Sequence, residues 1–200
     1  YSLPCEVSMV ESDKKIISFS GPLLFTHKGY SGPVILNVSR HFINRKSENK
    51  KLVANWLPSL NKESLSALWK TQEYRKKTIQ AFLREKFSRQ FADVLLEKSG
   101  IKLEVSLSEI SSEQRKQIEL HLFNFPLKVT GFKGFAFAEV TSGGIALSEI
   151  ELNTLESKIH KNLYFTGEIL DVDGQLGGYN FQWAFASAAC VANAIKNSSG

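Results

Sequence analysis

Leu163-Tyr164-Phe165-Thr166-Gly167-Glu168, followed by Asp171-Val172-Asp173-Gly174-Gln175-Leu176-Gly177-Gly178-Tyr179-Asn180-Phe181-Gln182-Trp183-Ala184, is the stretch on which the reading of this chain turns. An apolar run breaks at Gly-Glu, passes through an acidic, glycine-rich turn and opens into an alanine-rich helix. That is the layout of a strand delivering a ligand-facing loop. Gly167, Gly174, Gly177 and Gly178 lack a Cβ, so their N–H groups can approach a planar or phosphorylated ligand and φ can be positive. In the helix, Phe181, Ala184, Phe185, Ala188, Ala189, Ala192 and Ile195 recur at helical spacing, and this face is expected to lie on a sheet. The helix start, residues 178–181, offers unpaired N–H groups and the positive end of the dipole, which suit an electron-rich oxygen or a phosphate. Glu168, just past the run's carboxyl end, sits where open α/β sheets bind ligands and can accept hydrogen bonds from sugar-like hydroxyls. Spacing alone fits an ordinary β-to-α turn with solvated acids equally well.

Working back from that stretch, residues 2–10 and 15–19 read as the strands of a hairpin around Glu11-Ser12-Asp13-Lys14. Leu23-Leu24-Phe25-Thr26 leads to Ser31, read as the N-cap of a helix with Val34, Ile35, Val38 and Phe42 on one face. His27 has no visible partner, so a structural histidine satisfying backbone groups is favoured over proton transfer near a helix start. Residues 50–57 read as a strand ending at Pro58. From 61 to 123 the pattern turns helical and charged. Asn61 caps a helix with Leu65, Leu68 and Trp69 inward; Ile79, Phe82, Leu83 and Phe87 mark a second; Phe91, Val94 and Leu95 mark a third, stopped at Gly100. Ser111 with Gln114 makes a capping box for a fourth, carrying Ile118 and Leu122. Residues 125–129 and 136–140 read as strands around Gly131 and Gly134, followed by Thr141-Ser142-Gly143-Gly144 and short extended segments at 145–151, 156–159 and 163–165. The expected fold class is α+β, with a β-rich, barrel-like domain over 1–139, a helical subdomain within it at about 61–123, and a closing segment over 140–200.

Two hundred residues with 42% hydrophobic content can bury a real core. The net charge of +5 reads as too diffuse to indicate a nucleic-acid partner. The cluster Arg75, Lys76, Lys77, Arg84, Lys86 and Arg89 could face nucleic acid or an anionic coenzyme A ester, but a solvated helical face with Glu73 and Glu85 interspersed explains it more cheaply. Cys5 and Cys190 lie far apart in sequence, which argues against a disulfide framework and for a reducing compartment. No apolar run approaches the roughly 20 residues that span a bilayer, so no membrane partner is expected. His27, His41, His121 and His160 lack ligand spacing, and no metal is expected. No G-x-S-x-G elbow, P-loop, H-E-x-x-H or paired C-x-x-C occurs, which leaves hydrolase, kinase and zinc chemistry unsupported.

Residues 164–174 and 177–184 resemble the C-terminal flavin motif of the BaiN-like bacterial flavoproteins. Leu24-Phe25-Thr26-His27-Lys28-Gly29-Tyr30-Ser31-Gly32-Pro33 resembles that family's Phe-Thr-His-x-Gly-x-Ser-Gly-Pro segment. Val140-Thr141-Ser142-Gly143-Gly144-Ile145 and Leu155-Glu156-Ser157-Lys158 resemble its Val-Thr-x-Gly-Gly-Val and Met-Glu-Ser-Lys segments. The family is similar to two-dinucleotide-domain flavoproteins, in which a Rossmann-like FAD domain built from both ends of the chain carries a large inserted domain. The resemblance therefore implies that 1–139 is inserted domain and that 140–200 is the C-terminal strand-loop-helix segment of the FAD domain.

No G-x-G-x-x-G occurs in these residues, so the resemblance also implies a partner, the N-terminal Rossmann-like half of the same parent chain. FAD belongs to the whole protein, with NAD(P)H as the reductant, and these residues alone are expected to bind it weakly if at all. A cytoplasmic oxidoreductase acting on a small molecule is the implied function; a non-catalytic binding module is the rival. The implied cofactor residues are Thr141, Gly143, Gly167, Glu168, Asp173, Gly177, Gly178, Tyr179, Asn180 and Phe181. Glu168, or Asp173 in its place, would meet the ribityl hydroxyls, and residues 178–181 would meet the pyrimidine edge of the isoalloxazine. No catalytic side chain is assigned, because the cofactor carries the hydride chemistry.

Overall fold

The structure is a computed structural model that describes residues 1–198, and it divides into two compact units, Tyr1–Val129 and Thr130–Gly200. The first unit is built on a five-stranded antiparallel sheet in the order β3-β2-β1-β4-β5. Strands β1 (Ser2–Glu11) and β2 (Lys14–Thr26) form the expected hairpin. Ser12 and Asp13 turn it with φ of 47° and 63°, the two left-handed residues that a right-twisted hairpin requires. Leu3, Cys5, Val7 and Met9 point alternately inward from β1, and helix α1 (Pro33–Asn44) covers them with Val34 and Val38. Short β3 (Gly29–Ser31) edges the sheet on one side, and β4 (Lys50–Asn55) with β5 (Phe125–Leu127) completes the other.

The cap of α1 is Gly32, not Ser31, and it makes no side-chain cap bond. At φ 94° a Cβ there would stand 2.5 Å from Leu24 Cδ1 and 2.6 Å from the Pro22 carbonyl. Close approach of the helix start to β2, rather than hydroxyl capping, fixes this residue.

Four helices follow: α2 (Lys62–Lys70), α3 (Ile79–Lys86), α4 (Arg89–Ser99) and α5 (Ser112–Phe123). Asn61 and Ser111 both close reciprocal capping boxes, with Ser64 and Gln114. Gly100 ends α4 in the left-handed conformation. Between α2 and α3 the chain makes two consecutive turns, in which the Tyr74 N–H donates to Thr71 O at 3.2 Å and the Lys77 N–H to Tyr74 O at 2.8 Å. Trp69, Phe82, Leu83, Leu95, Leu96 and Ile118 are fully buried among these helices, in the same core as the sheet. Val94, expected inward, is 41% exposed. Phe91 and Leu95 are buried as expected, and Leu96 takes the further inward position.

The second unit has a smaller core of Ile150, Leu155 and Leu170, with Ile145, Phe165, Val172, Trp183 and Val191 packed around it. Strands β6 (Ile150–Glu151) and β7 (Glu156–Ser157) form a two-stranded ribbon, and helix α6 (Tyr179–Ser198) closes the unit. The strand expected at 136–140 is instead a 3₁₀ turn at Phe135–Phe137. Phe132, Phe135 and Phe137 are all exposed there, because no neighbouring strand edge within the described residues pairs with them.

Candidate functional site

The run 163–165, expected as an extended segment, makes the antiparallel bridge of Tyr164 to Glu156, with the Ser157 N–H donating to Leu163 O at 2.7 Å and the Phe165 N–H donating to Leu155 O at 3.0 Å. Beyond it Gly167–Ile169 coils into a 3₁₀ turn. An apolar run becomes a strand only where another edge accepts its bonds, and within the described residues that edge is two residues long.

Two segments distant in sequence meet here. The Ile145 N–H donates to Ile169 O at 2.8 Å, the Asp171 N–H donates to Ile145 O at 3.0 Å, and Ile145 pairs in parallel with Leu170. This sets Thr141-Ser142-Gly143-Gly144 beside the loop that carries Glu168 and Asp173. Gly144 is the hinge of the juxtaposition. A Cβ on it would stand 2.5 Å from Ile169 O and 2.9 Å from Leu170 C. Gly143, at φ 105°, has nothing within 4 Å of its Cβ position, and the same is true of Gly178 at φ 95°. Both glycines therefore border open space.

The loop is held from α6. The Gly167 N–H donates to Ser187 Oγ at 2.8 Å, and Trp183 Nε1 donates to Gly167 O at 3.0 Å. Asn180 forms a two-point clamp, accepting from the Gly174 N–H at 2.7 Å and donating to Gly174 O at 3.2 Å. A Cβ on Gly174 would stand 2.8 Å from Tyr179 Cβ, so this turn too requires glycine. These bonds set the orientation of α6 against the rest of its unit. Trp183, Ser187, Cys190 and Val191 turn inward, while Phe181 and Phe185 are 74% and 75% exposed, with Ala188, Ala189, Ala192 and Ile195 exposed alongside them. Buried Ser187, a polar residue that hydrophobic spacing passes over, is a site-supporting residue the sequence reading missed.

Glu168 is exposed on the 3₁₀ turn, and Asp173 is half-buried beyond it. Gly177, at φ 125°, and Gly178 lead into α6, whose first turn holds Tyr179, Asn180 and Phe181. The first N–H groups of a helix have no acceptor within it, and those of residues 179–181 stand at the positive end of a 20-residue helix. Thr141, Gly143, Gly167, Glu168, Asp173, Gly177, Gly178, Tyr179, Asn180 and Phe181 thus lie on two bonded segments and one helix start. An FAD fits this donor set. Open glycines allow close approach, helix N–H groups suit an electron-rich edge, and a carboxylate suits hydroxyls.

In the first unit, His27 sits in the exposed turn between β2 and β3. It makes no hydrogen bond among the described residues, so it is not the backbone-satisfying histidine expected from sequence. Thr26 does that work: its Oγ1 donates to Gly29 O at 2.8 Å and accepts from the Lys28 N–H at 3.2 Å. His121 is the perturbed histidine. Burial lowers its pKa below the ordinary value, and Lys98 pushes the same way against a raising hydrogen bond with the Gln117 backbone. Burial pushes the Cys5 thiol up to about 11. No group of three or more potential metal ligands occurs among the described residues, and no helix there is long and apolar enough to cross a membrane.

Residues 1–140 match the family described as HI0933-like protein barrel and H2TH domain. The chain belongs to the HI0933-like family. Two relatives are named ribosomal RNA dihydrouridine synthase. That of Haemophilus influenzae is 35% identical over 90% of this chain and 43% of its own length, and that of Escherichia coli is 32% identical over 88% and 43%. A third, the 3-dehydro-bile acid delta(4,6)-reductase of Clostridium scindens, is 33% identical over 84% of this chain and 42% of its own length. The chain therefore spans less than half the length of the curated relatives it matches. The HI0933-like family is a family of flavoprotein oxidoreductases associated with FAD, as the resemblance to BaiN-like proteins implied. Its barrel-and-helix description agrees with the α+β sheet and helices of the first unit.

Proposed function

We propose that this chain is part of an FAD-dependent reductase that saturates a carbon–carbon double bond conjugated to a carbonyl, and that its substrate is a uracil base in ribosomal RNA. The observation that carries the flavin reading is the bonded pairing of 143–145 with 169–171, which gathers both glycine-bordered segments at the start of α6. When bound and reduced by NAD(P)H, FAD would supply the hydride. Glu168 accepts hydrogen bonds from its sugar-like hydroxyls, and the N–H groups of residues 179–181 stabilise negative charge on its electron-rich edge. Trp183, Ser187 and Asn180 hold the loop in place. The exposed face of Phe181, Phe185, Ala188 and Ala192 packs on the N-terminal Rossmann-like half of the parent protein, which supplies the pyrophosphate site.

The names of the relatives support the chemistry. Forming dihydrouridine and reducing a delta(4,6) 3-dehydro-bile acid both saturate an alkene conjugated to a carbonyl. The RNA substrate rests on the two relatives that share the RNA name. The test uses the full-length flavoprotein, reduced anaerobically with NADH or NADPH and then mixed with ribosomal RNA or with a delta(4,6) 3-ketosteroid. RNA is expected to reoxidise the flavin with the appearance of dihydrouridine. Reoxidation by the steroid alone would return the substrate to a small molecule, and reoxidation by neither would remove the alkene reductase reading.

A further inference from the structure

Resting on the RNA reading above, we infer that the double turn at residues 71–77, with α3 behind it, is the surface that grips the RNA backbone. The charge surplus of the chain is not spread out. Residues 70–89 hold seven Lys and Arg against two Glu, a surplus of five that equals the +5 of the whole chain, so the other 180 residues balance. Both carboxylates are engaged with Lys77. Glu85 accepts from Lys77 Nζ at 2.7 Å and from the Tyr74 hydroxyl at 3.1 Å, and Glu73 pairs with Lys77 at 3.5 Å. Glu85 thereby ties the double turn to α3, and Glu73 pairs within the turn, with Lys77 also lying 4.2 Å over the Tyr74 ring. Lys70, Arg75, Lys76 and Lys86 stay exposed and form no salt bridge among the described residues.

A cheaper explanation covers only some of these cations. Lys70, Arg84 and Lys86 lie in the last turns of α2 and α3, where the helix dipole favours positive charge. Arg75 and Lys76 belong to neither helix. They sit on the second turn, whose frame is fixed by bonds that do not use their side chains: the Lys77 N–H to Tyr74 O, the Leu107 N–H to Lys77 O at 2.9 Å, and Ser106 Oγ to Arg75 O at 3.3 Å. Two unpaired cations on a rigid, exposed turn, flanked by the dipole-placed cations of α2 and α3, form a fixed site for phosphates. RNA helices are gripped mainly through backbone and shape, which this arrangement suits.

The test is binding of a fluorescein-labelled RNA stem-loop to the full-length flavoprotein across a salt series, comparing wild type with Arg75→Ala/Lys76→Ala and with a control pair, Lys14→Ala/Lys46→Ala. Both pairs are exposed, and the bonds of the turn survive in alanine, so thermal unfolding and NAD(P)H reduction of the flavin are expected to stay as in wild type. Loss of two phosphate contacts lowers the slope of log K against log salt by about 2 and weakens binding roughly thirtyfold to a hundredfold near 0.1 M salt. The control pair keeps the wild-type slope. Wild-type RNA binding that Arg75→Ala/Lys76→Ala leaves unchanged, or that the control pair weakens equally, would overturn the assignment of this face while leaving the RNA reading intact. No salt-dependent RNA binding by the wild type would overturn both.

Discussion

Gly144→Ala is the substitution that most directly strains the juxtaposition at the centre of the candidate site. The added Cβ would lie 2.5 Å from Ile169 O, 2.9 Å from Leu170 C and 3.0 Å from Asp171 N. All three are backbone atoms, so no flexible side chain can swing aside, and the two segments must part. Parting them weakens the bonds from Ile145 N–H and from Asp171 N–H, each worth about 1 kcal/mol net. The φ of 141° adds strain of about 1 to 3 kcal/mol for a residue with a side chain. The local cost is about 2 to 5 kcal/mol. Gly143→Ala supplies the internal control, since its φ of 105° carries conformational strain but its Cβ meets nothing within 4 Å. Hydrogen exchange of the Ile145 and Asp171 amides in the full-length protein reads the opening directly, with urea unfolding alongside. The expected result is that Gly144→Ala exceeds Gly143→Ala by about 2 kcal/mol in local opening. Equal effects of the two alanines, or wild-type protection in Gly144→Ala, would refute the claim that close backbone approach makes this glycine necessary.

Asn180→Ala removes both bonds to Gly174, and faster exchange of the Gly174 amide by roughly tenfold or more is expected, with α6 otherwise intact. Iodoacetamide at pH 8 should label the folded protein at Cys190 only, because Cys5 is buried and its thiol is pushed up to about 11; labelling of Cys5 before unfolding would contradict its burial. His121 is held neutral by burial, so between its lowered folded pKa and the ordinary 6.5 the unfolded chain binds more protons. Stability is therefore complete above about pH 6.5 and falls as pH drops through that window. His121→Gln should flatten that limb of a urea-midpoint profile, and an unaltered limb would assign it to other groups.

What the sequence made legible was mostly local. Asn61, Ser111 and Gly100 each announce a helix end through groups within four residues, and each end lies where spacing put it. The Ser12-Asp13 turn is of the same kind. The misreadings depend on partners distant in sequence. Ser31 has the right hydroxyl for a cap, but the approach of Pro22 and Leu24 hands the position to Gly32. Apolar spacing passes over Ser187 and Trp183, which Gly167 draws inward through two hydrogen bonds that no hydrophobic count contains. The site residues themselves were found by motif resemblance. Their gathering through the Ile145 and Leu170 bridge was not visible in either segment alone.

Equilibrium FAD titration of the full-length apoprotein, with Glu168→Ala and Asp173→Ala beside wild type, tests most directly whether this loop holds the flavin. A carboxylate accepting hydroxyl protons contributes about 1.5 to 3 kcal/mol, so Glu168→Ala is expected to weaken FAD binding by roughly tenfold to a hundredfold without unfolding the protein. Wild-type affinity in both variants would take this loop out of the cofactor site.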